Sequence, residues 1–546
     1  MNAWQGYPVP AQRHEAPFAD RLVRCFASRP RSVHALLEQA VARRPDHEAL
    51  VCAGQRWSYA QLDAEARRIA AGLHARGVKP GERVALLVGN RPEFVFVLFA
   101  VQRLGAIAVP IGVREARAGL KFMLNQCEAR AIVFDADLVG RIPDANEVPS
   151  LALRVMIGAA LDGGSGAAGG AETLADLAAH PGADPGAPLA PVQDTDTAVI
   201  LYTSGTTGHP KGAMLTHFNI AHSVLHYQVC MRLHPGDRSA LAVPASHVTG
   251  LIAIILAMVQ VGGTVVIVPA FKAPDFIALL AAERVTHTLM VPAMYTLCLM
   301  APEFASLDLR HWRIGGYGGA PMPVATIDAL ARQVPGLVLL NAYGATETTS
   351  PATMMPAGLT RGHADCVGVA LPCADIAVMD DAGREVPRGD TGELWIGGPM
   401  VVPGYWNNPL ATQHSFTAGY WHSGDLGSVD AQGFVRIFDR KKDMLNRGGF
   451  KVYSVEVENA LMALPGVVEA AVIGRPCPVL GERVHAVLHA PGVPHDETAV
   501  QRHCAALLAD YKVPETFAWS DTPLPRNANG KLMKRALREG LLGTGA

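Results

Sequence analysis

Between Leu201 and His217 the chain reads LYTSGTTGHPKGAMLTH. Thr203, Ser204, Thr206 and Thr207 supply hydroxyl donors, and Gly205 and Gly208 let backbone N–H groups approach an anion closely. Lys211 then adds a point charge. Hydroxyls, accessible amides and one ammonium in a single loop suit a polyphosphate. The segment is not a G-x-x-x-x-G-K-[ST] loop, because Pro210 precedes the lysine. Other constellations carry less. His222 and His226 have the i,i+4 spacing of a helical metal pair, but among 20 histidines that spacing arises easily. Neither H-E-x-x-H nor a nearby cysteine pair supports a metal there. No G-x-S-x-G offers a hydrolase nucleophile.

The elements around this loop predict an α/β fold. AVILY (198–202) is a strand that leads into it. Upstream, Ser58 can cap a helix that runs to about Arg76, with Gly77 as its stop. VALLV (84–88) is a strand. Pro92 and Glu93 open a helix whose stripe Phe94, Val97, Leu98, Val101 and Leu104 has helical spacing, and AIAVPI (106–111) is a buried strand. Alternation of helices with continuous apolar strands indicates a mostly parallel sheet covered on both faces. Residues 158–190, rich in Gly, Ala, Pro and Asp, read as a connector with a short helix at TLADLAA. The β/α pattern resumes from Thr197 to about Val338. Residues 365–439 change to short strands with frequent turns, a β-rich subdomain. Helices at 454–463 and 497–509 and strands at 467–473 and near 484–489 then make a small α+β unit.

Composition narrows the partners. The 546 residues carry 47 Lys+Arg and 49 Asp+Glu, a net charge of −2, which argues against a nucleic-acid binder that depends on phosphate neutralisation. Hydrophobic residues at 49% exclude a mainly disordered chain. Nine cysteines without a C-x-x-C fit a reduced, cytoplasmic setting. The N-terminus has no apolar h-region and reads as carrying no secretory signal. Leu251–Val268 is the most apolar stretch; Gln260, Gly262 and Gly263 divide it into a buried helix, a turn and a buried strand, each too short to span a membrane.

The ten positions Thr203 to Gly212 resemble the signature of the adenylate-forming (ANL) superfamily: acyl-CoA synthetases, peptide-synthetase adenylation domains and firefly-type luciferases. NAYGATETT (341–349), YWHSGDLG (420–427), FDRKKDMLNRGGFKVYSVEVE (438–458) and PRNANGKLMKRAL (525–537) follow in the family's order, so the resemblance covers roughly residues 32–540. It implies a large body (1–439) of two β/α sheet subdomains plus the β-rich subdomain, a hinge at 440–442, and a small mobile α+β domain (443–546). It also implies two steps: a carboxylate displaces pyrophosphate from ATP to give an acyl-adenylate, and a thiol, usually that of coenzyme A, takes the acyl group. Ser204, Thr206, Thr207 and Lys211 would hold the β- and γ-phosphates within the loop Thr203–Gly208, and Thr346 would contact the α-phosphate. Glu347 would ligate Mg2+, a hard cation that prefers oxygen. Tyr343, beside Gly344, would lie on adenine, with Gly318, Gly319, Ala320 and Pro321 as the opposite wall. Asp425 would accept from both ribose hydroxyls, assisted by Arg440. Lys531 would stabilise the forming acyl-phosphate bond, Lys442 would be the hinge residue, and Gly448 and Gly449 would line the pantetheine tunnel. Asp439, where the family more often has Gly, and Ser454, where Pro is common, depart from the pattern.

PASHVTGL (244–251) is similar to the segment that opens the family's acyl pocket. It places His247 beside the carboxylate and Val248, Thr249, Ile252, Tyr317 and Met354 along the tail. Residues 245–255 and 314–320 contain no Lys or Arg, and 244–251 lacks the Asp that would hold an amino-acid ammonium. The expected substrate is therefore an acid with an uncharged, apolar tail, fatty or aromatic. The expected enzyme is a freestanding acid–CoA ligase, monomeric or homodimeric. The alternatives are a ligase that loads a carrier protein and a non-enzymatic binding protein; intact Lys211, Glu347, Asp425, Arg440 and Lys531 speak against the last.

Overall fold

The computed structural model describes residues 4–158, 170–186, 191–203, 210–448, 450–492, 494–526 and 532–543. The chain separates into two compact units. The first is Met1–Ala377, Trp395–His422 and Gln432–Val435; the second is Val378–Leu394, Ser423–Ala431 and Arg436–Ala546. The second unit thus takes in parts of the β-rich stretch that precede the 440–442 hinge expected from sequence.

Two large sheets dominate the first unit, which also holds the ribbon Gln12–Phe18/Arg21–Phe26. One runs in the order Lys211–Thr216, Thr197–Thr203, Ile107–Pro110, Arg83–Leu87, Ala131–Asp135, Leu153–Ile157 and Glu172–Thr173; it is parallel except for the hairpin at its first edge. The other has nine strands. Its interior (Val338–Tyr343, Ile314–Tyr317, His287–Met290, Arg238–Leu241, Thr264–Ile267, Glu48–Cys52) is parallel, and antiparallel pairs close both ends. Local signals explain several elements. Ser58 Oγ accepts from Gln61 N–H and Gln61 Oε1 accepts from Ser58 N–H, a reciprocal cap that starts helix Tyr59–Ala75. Helix Pro92–Arg103 is buried on nearly every side, as a helix sandwiched in a large core must be. The stretch from Thr249 begins as a π-helix (Thr249–Leu256), continues as α-helix to Val261, and ends at Gly262 in a left-handed conformation. Its wide first turns follow a tight approach: a Cβ at Gly250 would lie 2.2 Å from the Pro244 carbonyl oxygen. Among the described residues no helix is long and apolar enough to cross a membrane.

Helix His217–Cys230 is the centre of this unit, with every residue but Gln228 buried. Thr216 and Asn219 form its capping box, and the Asn219 amide donates to the carbonyls of Pro399 (2.7 Å) and Val401 (3.0 Å). His222 and His226 lie on it. Burial holds the His222 imidazole at about 4, and His222 Nε2 accepts from Phe26 N–H at 3.2 Å. His222 is thus a backbone acceptor, and no group of three or more His, Cys, Asp or Glu among the described residues is arranged to hold a metal.

In the second unit, Phe450–Val452, Leu445–Arg447, Gly481–His489 and Glu469–Cys477 form an antiparallel sheet, to which Thr516–Ser520 adds in parallel. Helices Ser454–Met462 and Glu497–Leu507 flank its core of Leu445, Val457, Val472, Val484 and Val500. The hairpin runs past the expected strand ends, from Glu469↔His489 to Cys477↔Gly481. Ladder hydrogen bonds do not need apolar side chains, so pairing continues where the apolar run stops.

Candidate active site

The hairpin Thr197–Thr203/Lys211–Thr216 sets Thr203 opposite Lys211. Ser204, Gly205, Thr206, Thr207 and Gly208 lie in the connection, outside the described residues. Glu347, in the short 3-10 turn Thr346–Thr348, is 7% exposed. Its Oε1 accepts from the Thr203 hydroxyl at 3.2 Å and from the Tyr405 hydroxyl at 3.0 Å. Lys211 Nζ lies 4.9 Å from the centroid of the Tyr405 ring. Sequence reading misses Tyr405. It sits in VVPGYWNNP, a turn-like stretch in which nothing marks one aromatic as a carboxylate's partner. Backbone bonds hold it: Trp406 N–H donates to Gly212 O (2.7 Å), Met214 N–H to Gly404 O (3.1 Å) and Val402 N–H to Glu347 O (2.9 Å). Burial and then the Glu347 carboxylate push the Tyr405 phenol up, so it remains a proton donor at neutral pH.

Gly318–Pro321 follow strand Ile314–Tyr317, and Tyr343 and Gly344 end or follow the neighbouring parallel strand, with Tyr317 opposite Asn341. Both groups therefore stand at the carboxyl ends of adjacent strands, where open α/β sheets bind ligands. Gly318 is required there: a Cβ would lie 2.3 Å from the Ala342 carbonyl oxygen. Gly319, Ala320 and Pro321 are exposed, and Tyr343 and Thr346 are half-buried. The turn is pinned by Ala345 N–H donating to Thr348 Oγ1 at 2.9 Å.

His247 is half-buried after strand Arg238–Leu241, with its Nδ1 3.2 Å from Thr249 Oγ1. Asn90 shapes this loop. Its amide donates to the carbonyls of Leu241 (3.2 Å), Val243 (3.0 Å) and Val268 (3.1 Å), and its Oδ1 accepts from Ala245 N–H (2.8 Å). Sequence reading also misses Asn90, whose partners are remote in the chain. Val248, Ile252 and Met354 lie together in the main core cluster. Tyr317 does not join them. Ile314 packs in that cluster and Tyr317 in a second one, with Met290, Tyr295 and Trp312, as a three-residue offset along a strand requires.

In the second unit, Asp425 is 4% exposed and meets Arg440 Nε at 2.6 Å. Lys441 pairs with Asp381 (2.8 Å) and Glu393 (3.2 Å), whereas Lys442 is exposed and pairs with no described carboxylate. The two departures from the family pattern are partners. Buried Asp439 accepts from the Ser454 N–H and, at 3.0 Å, from the Ser454 hydroxyl. Lys534 Nζ donates to Ser454 Oγ at 2.6 Å and pairs with Glu458 at 2.7 Å. Gly448 is exposed with φ +59°; Gly449 and Lys531 lie outside the described residues.

The AMP-binding enzyme family matches residues 37–406, and the AMP-binding enzyme C-terminal domain matches residues 456–531. A long-chain-fatty-acid–CoA ligase of Mycobacterium tuberculosis is 34% identical over 484 residues, 89% of this chain and 93% of that protein. A feruloyl-CoA synthase of an Amycolatopsis species is 34% identical over 500 residues, 90% of this chain and 96% of that protein. The crystal structure of ATP-bound MatB from Rhodopseudomonas palustris superposes with a TM-score of 0.83 at 32% identity, covering 93% of this chain and 99% of MatB. With the lysine hairpin, the buried carboxylate and the glycine wall already in place, these matches make the chain a member of the AMP-binding enzyme family, in its acyl-CoA synthetase branch.

Proposed function

We propose that this AMP-forming acyl-CoA synthetase activates a carboxylic acid with an uncharged, apolar tail, fatty or aromatic, and passes the acyl group to coenzyme A. The observation that carries the tail reading is the helical stretch Gly250–Val261: every residue is buried and none is charged. A second carboxylate in the tail would need a buried cation. Relatives named for a fatty acid and for ferulate stand at the same identity, so both tail types stay within the proposal.

The first half-reaction brings a carboxylate to a polyanion, so placed cations and dipoles do most of the work. Lys211 and the loop Thr203–Gly208 would hold the β- and γ-phosphates, and Thr346 the α-phosphate. Tyr343 and Gly318–Pro321 would enclose adenine, and Asp425 with Arg440 would bind ribose. His247 would border the acid's carboxylate. The residues present suit Mg2+: Glu347 is a buried oxygen donor whose Oε1 takes both donated bonds, while Oε2 accepts none from a described residue. The ion would neutralise phosphate charge and polarise the reacting phosphoryl group. Rotation about Lys442 would present Lys531 for adenylation and Gly448–Gly449 for the thiol. Nine free, buried cysteines support a cytoplasmic setting.

Pyrophosphate release across aromatic and C4–C18 acids, with and without coenzyme A, tests this. Release with uncharged acids and thioester only when coenzyme A is present is expected. Release confined to dicarboxylates would overturn the tail reading, and thioester on a carrier protein alone would overturn the acceptor. Lys531→Ala is expected to lose adenylation while still forming thioester from supplied acyl-adenylate. Equal loss of both would remove Lys531 from the first step.

A further inference from the structure

Lys211 and Glu347 are opposite charges beside one binding site, yet they form no ion pair: among the described residues Lys211 pairs with no carboxylate. Tyr405 stands between their roles. Its ring faces the Lys211 ammonium at 4.9 Å and its hydroxyl donates to Glu347 Oε1 at 3.0 Å. We propose that Tyr405 is a positioning residue that keeps Lys211 and Glu347 apart and aimed, so that the site is open to a triphosphate and its metal ion before either arrives. The proposal rests on Glu347 as the metal ligand and Lys211 as the phosphate contact.

Three features argue for it. Tyr405 is 5% exposed and rigidly seated: its N–H donates to Thr412 Oγ1 at 3.0 Å, it bridges Ala213, and its ring meets Phe416 edge-on at 5.7 Å between centroids. Both donors to Glu347, Thr203 and Tyr405, land on Oε1, which turns the carboxylate so that Oε2 is left for a cation. A cation over an aromatic face is stabilised without an anion, so Lys211 keeps its charge available for phosphate. Removing the tyrosine takes away both contacts, and the lysine is then expected to close onto the carboxylate, each blocking the other's ligand.

The test separates the ring from the hydroxyl. Tyr405→Phe keeps the ring over Lys211 and removes one donor to Glu347; Tyr405→Leu removes both. ATP binding is measured by calorimetry with Mg2+ and with EDTA, alongside the Mg2+ dependence of pyrophosphate release and thermal melting. For Tyr405→Phe we expect unchanged metal-free ATP affinity and a half-saturating Mg2+ concentration about tenfold higher, the scale of one hydrogen bond to a charged group. Tyr405→Leu is expected to weaken metal-free ATP binding as well. Combining Tyr405→Leu with Glu347→Gln should recover part of that binding, because no carboxylate then captures Lys211. Unchanged Mg2+ dependence in Tyr405→Phe while Glu347→Gln shifts it would overturn the proposal alone. Unchanged Mg2+ dependence in Glu347→Gln would overturn the metal-ligand reading with it. Equal loss of metal-free and metal-dependent binding in Tyr405→Phe would make Tyr405 merely structural and also overturn the proposal.

Discussion

Asp425 and Arg440 differ sharply in exposure. The aspartate side chain is 5% exposed and the arginine side chain 45%, so the carboxylate is fixed inside the second unit while the guanidinium faces water. A fixed acceptor with its charge balanced on one side suits two vicinal hydroxyls, which need oxygen acceptors and no further cation. Asp425→Ala is expected to raise the KM for ATP about tenfold or more, the loss of a charge-assisted hydrogen-bond pair, with the KM for the acid unchanged. Because solvent takes up the exposed Arg440 charge, the melting temperature should fall little. Initial rates at varied ATP and varied acid decide this. Equal rises in both KM values would place Asp425 in general packing rather than at the ribose. The same side chain shows what sequence can and cannot supply. The motif HSGDLG marks Asp425 from its neighbours alone. Arg440, 15 positions away, is named for the same ribose by FDRKKD, but the contact between the two comes only from the pairing of strands Tyr420–Val429 and Val435–Arg440.

At the scale of elements, Asp439, Ser454, Lys534 and Glu458 tie three pieces of the second unit together: strand Val435–Arg440, helix Ser454–Met462 and helix Lys534–Gly543. Burial raises both the Asp439 and the Glu458 carboxyls, and the Lys534 charge pulls each back down. One ammonium therefore serves the buried Asp439 and the half-buried Glu458 carboxylates. Lys534→Met would leave them without it and is expected to cost about 3–5 kcal/mol, read as a loss of unfolding free energy in urea, while Lys534→Arg should keep most of that stability. A loss under about 1 kcal/mol for Lys534→Met would show that the carboxylates do not depend on it. Asp439 and Ser454 stand out in the sequence as two separate departures from a family pattern, and nothing local says that each answers the other. Elements whose cause is local were legible: the Ser58 cap, the turn at Gly262 and Gly263, and the apolar strands. Strand Lys211–Thr216 was not, because KGAMLT has too short an apolar run to announce a strand without its partner. Tyr405 and Asn90 were not, because their roles depend on bonds to remote backbone and side chains.

The molecule as a whole stores uncharged histidines. Burial pushes His34, His217, His222 and His287 down to about 4, and His226 well below its ordinary value. All belong to the first unit. Two of them are acceptors that need a bare nitrogen: His217 Nδ1 takes Val33 N–H at 3.1 Å, and His222 Nε2 takes Phe26 N–H while its Nδ1 faces the Phe218 carbonyl at 2.8 Å. Protonation would therefore break the tether between the N-terminal segment and helix His217–Cys230. The unfolded chain binds these protons near pH 6.5 and the folded chain only near 4, so the stability is present above 6.5 and is lost as pH falls toward 4. Each imidazole contributes a slope of up to about 1.4 kcal/mol per pH unit in that window. Paired carboxylates act lower: hydrogen bonding to Arg29 brings Glu15 down to about 2, so its contribution is lost only below its ordinary value of 4.5. Denaturant unfolding between about pH 7 and 4.5 should thus show stability falling before the contribution of Glu15 is lost. His222→Gln, which keeps an acceptor but cannot take up the proton, is expected to flatten the slope by about one proton's worth. Amide exchange at Phe26 and Val33 should accelerate first on acidification in the unsubstituted protein. A His222→Gln slope identical to that of the unsubstituted protein would mean that the imidazole titrates alike in both states and that burial does not hold it neutral.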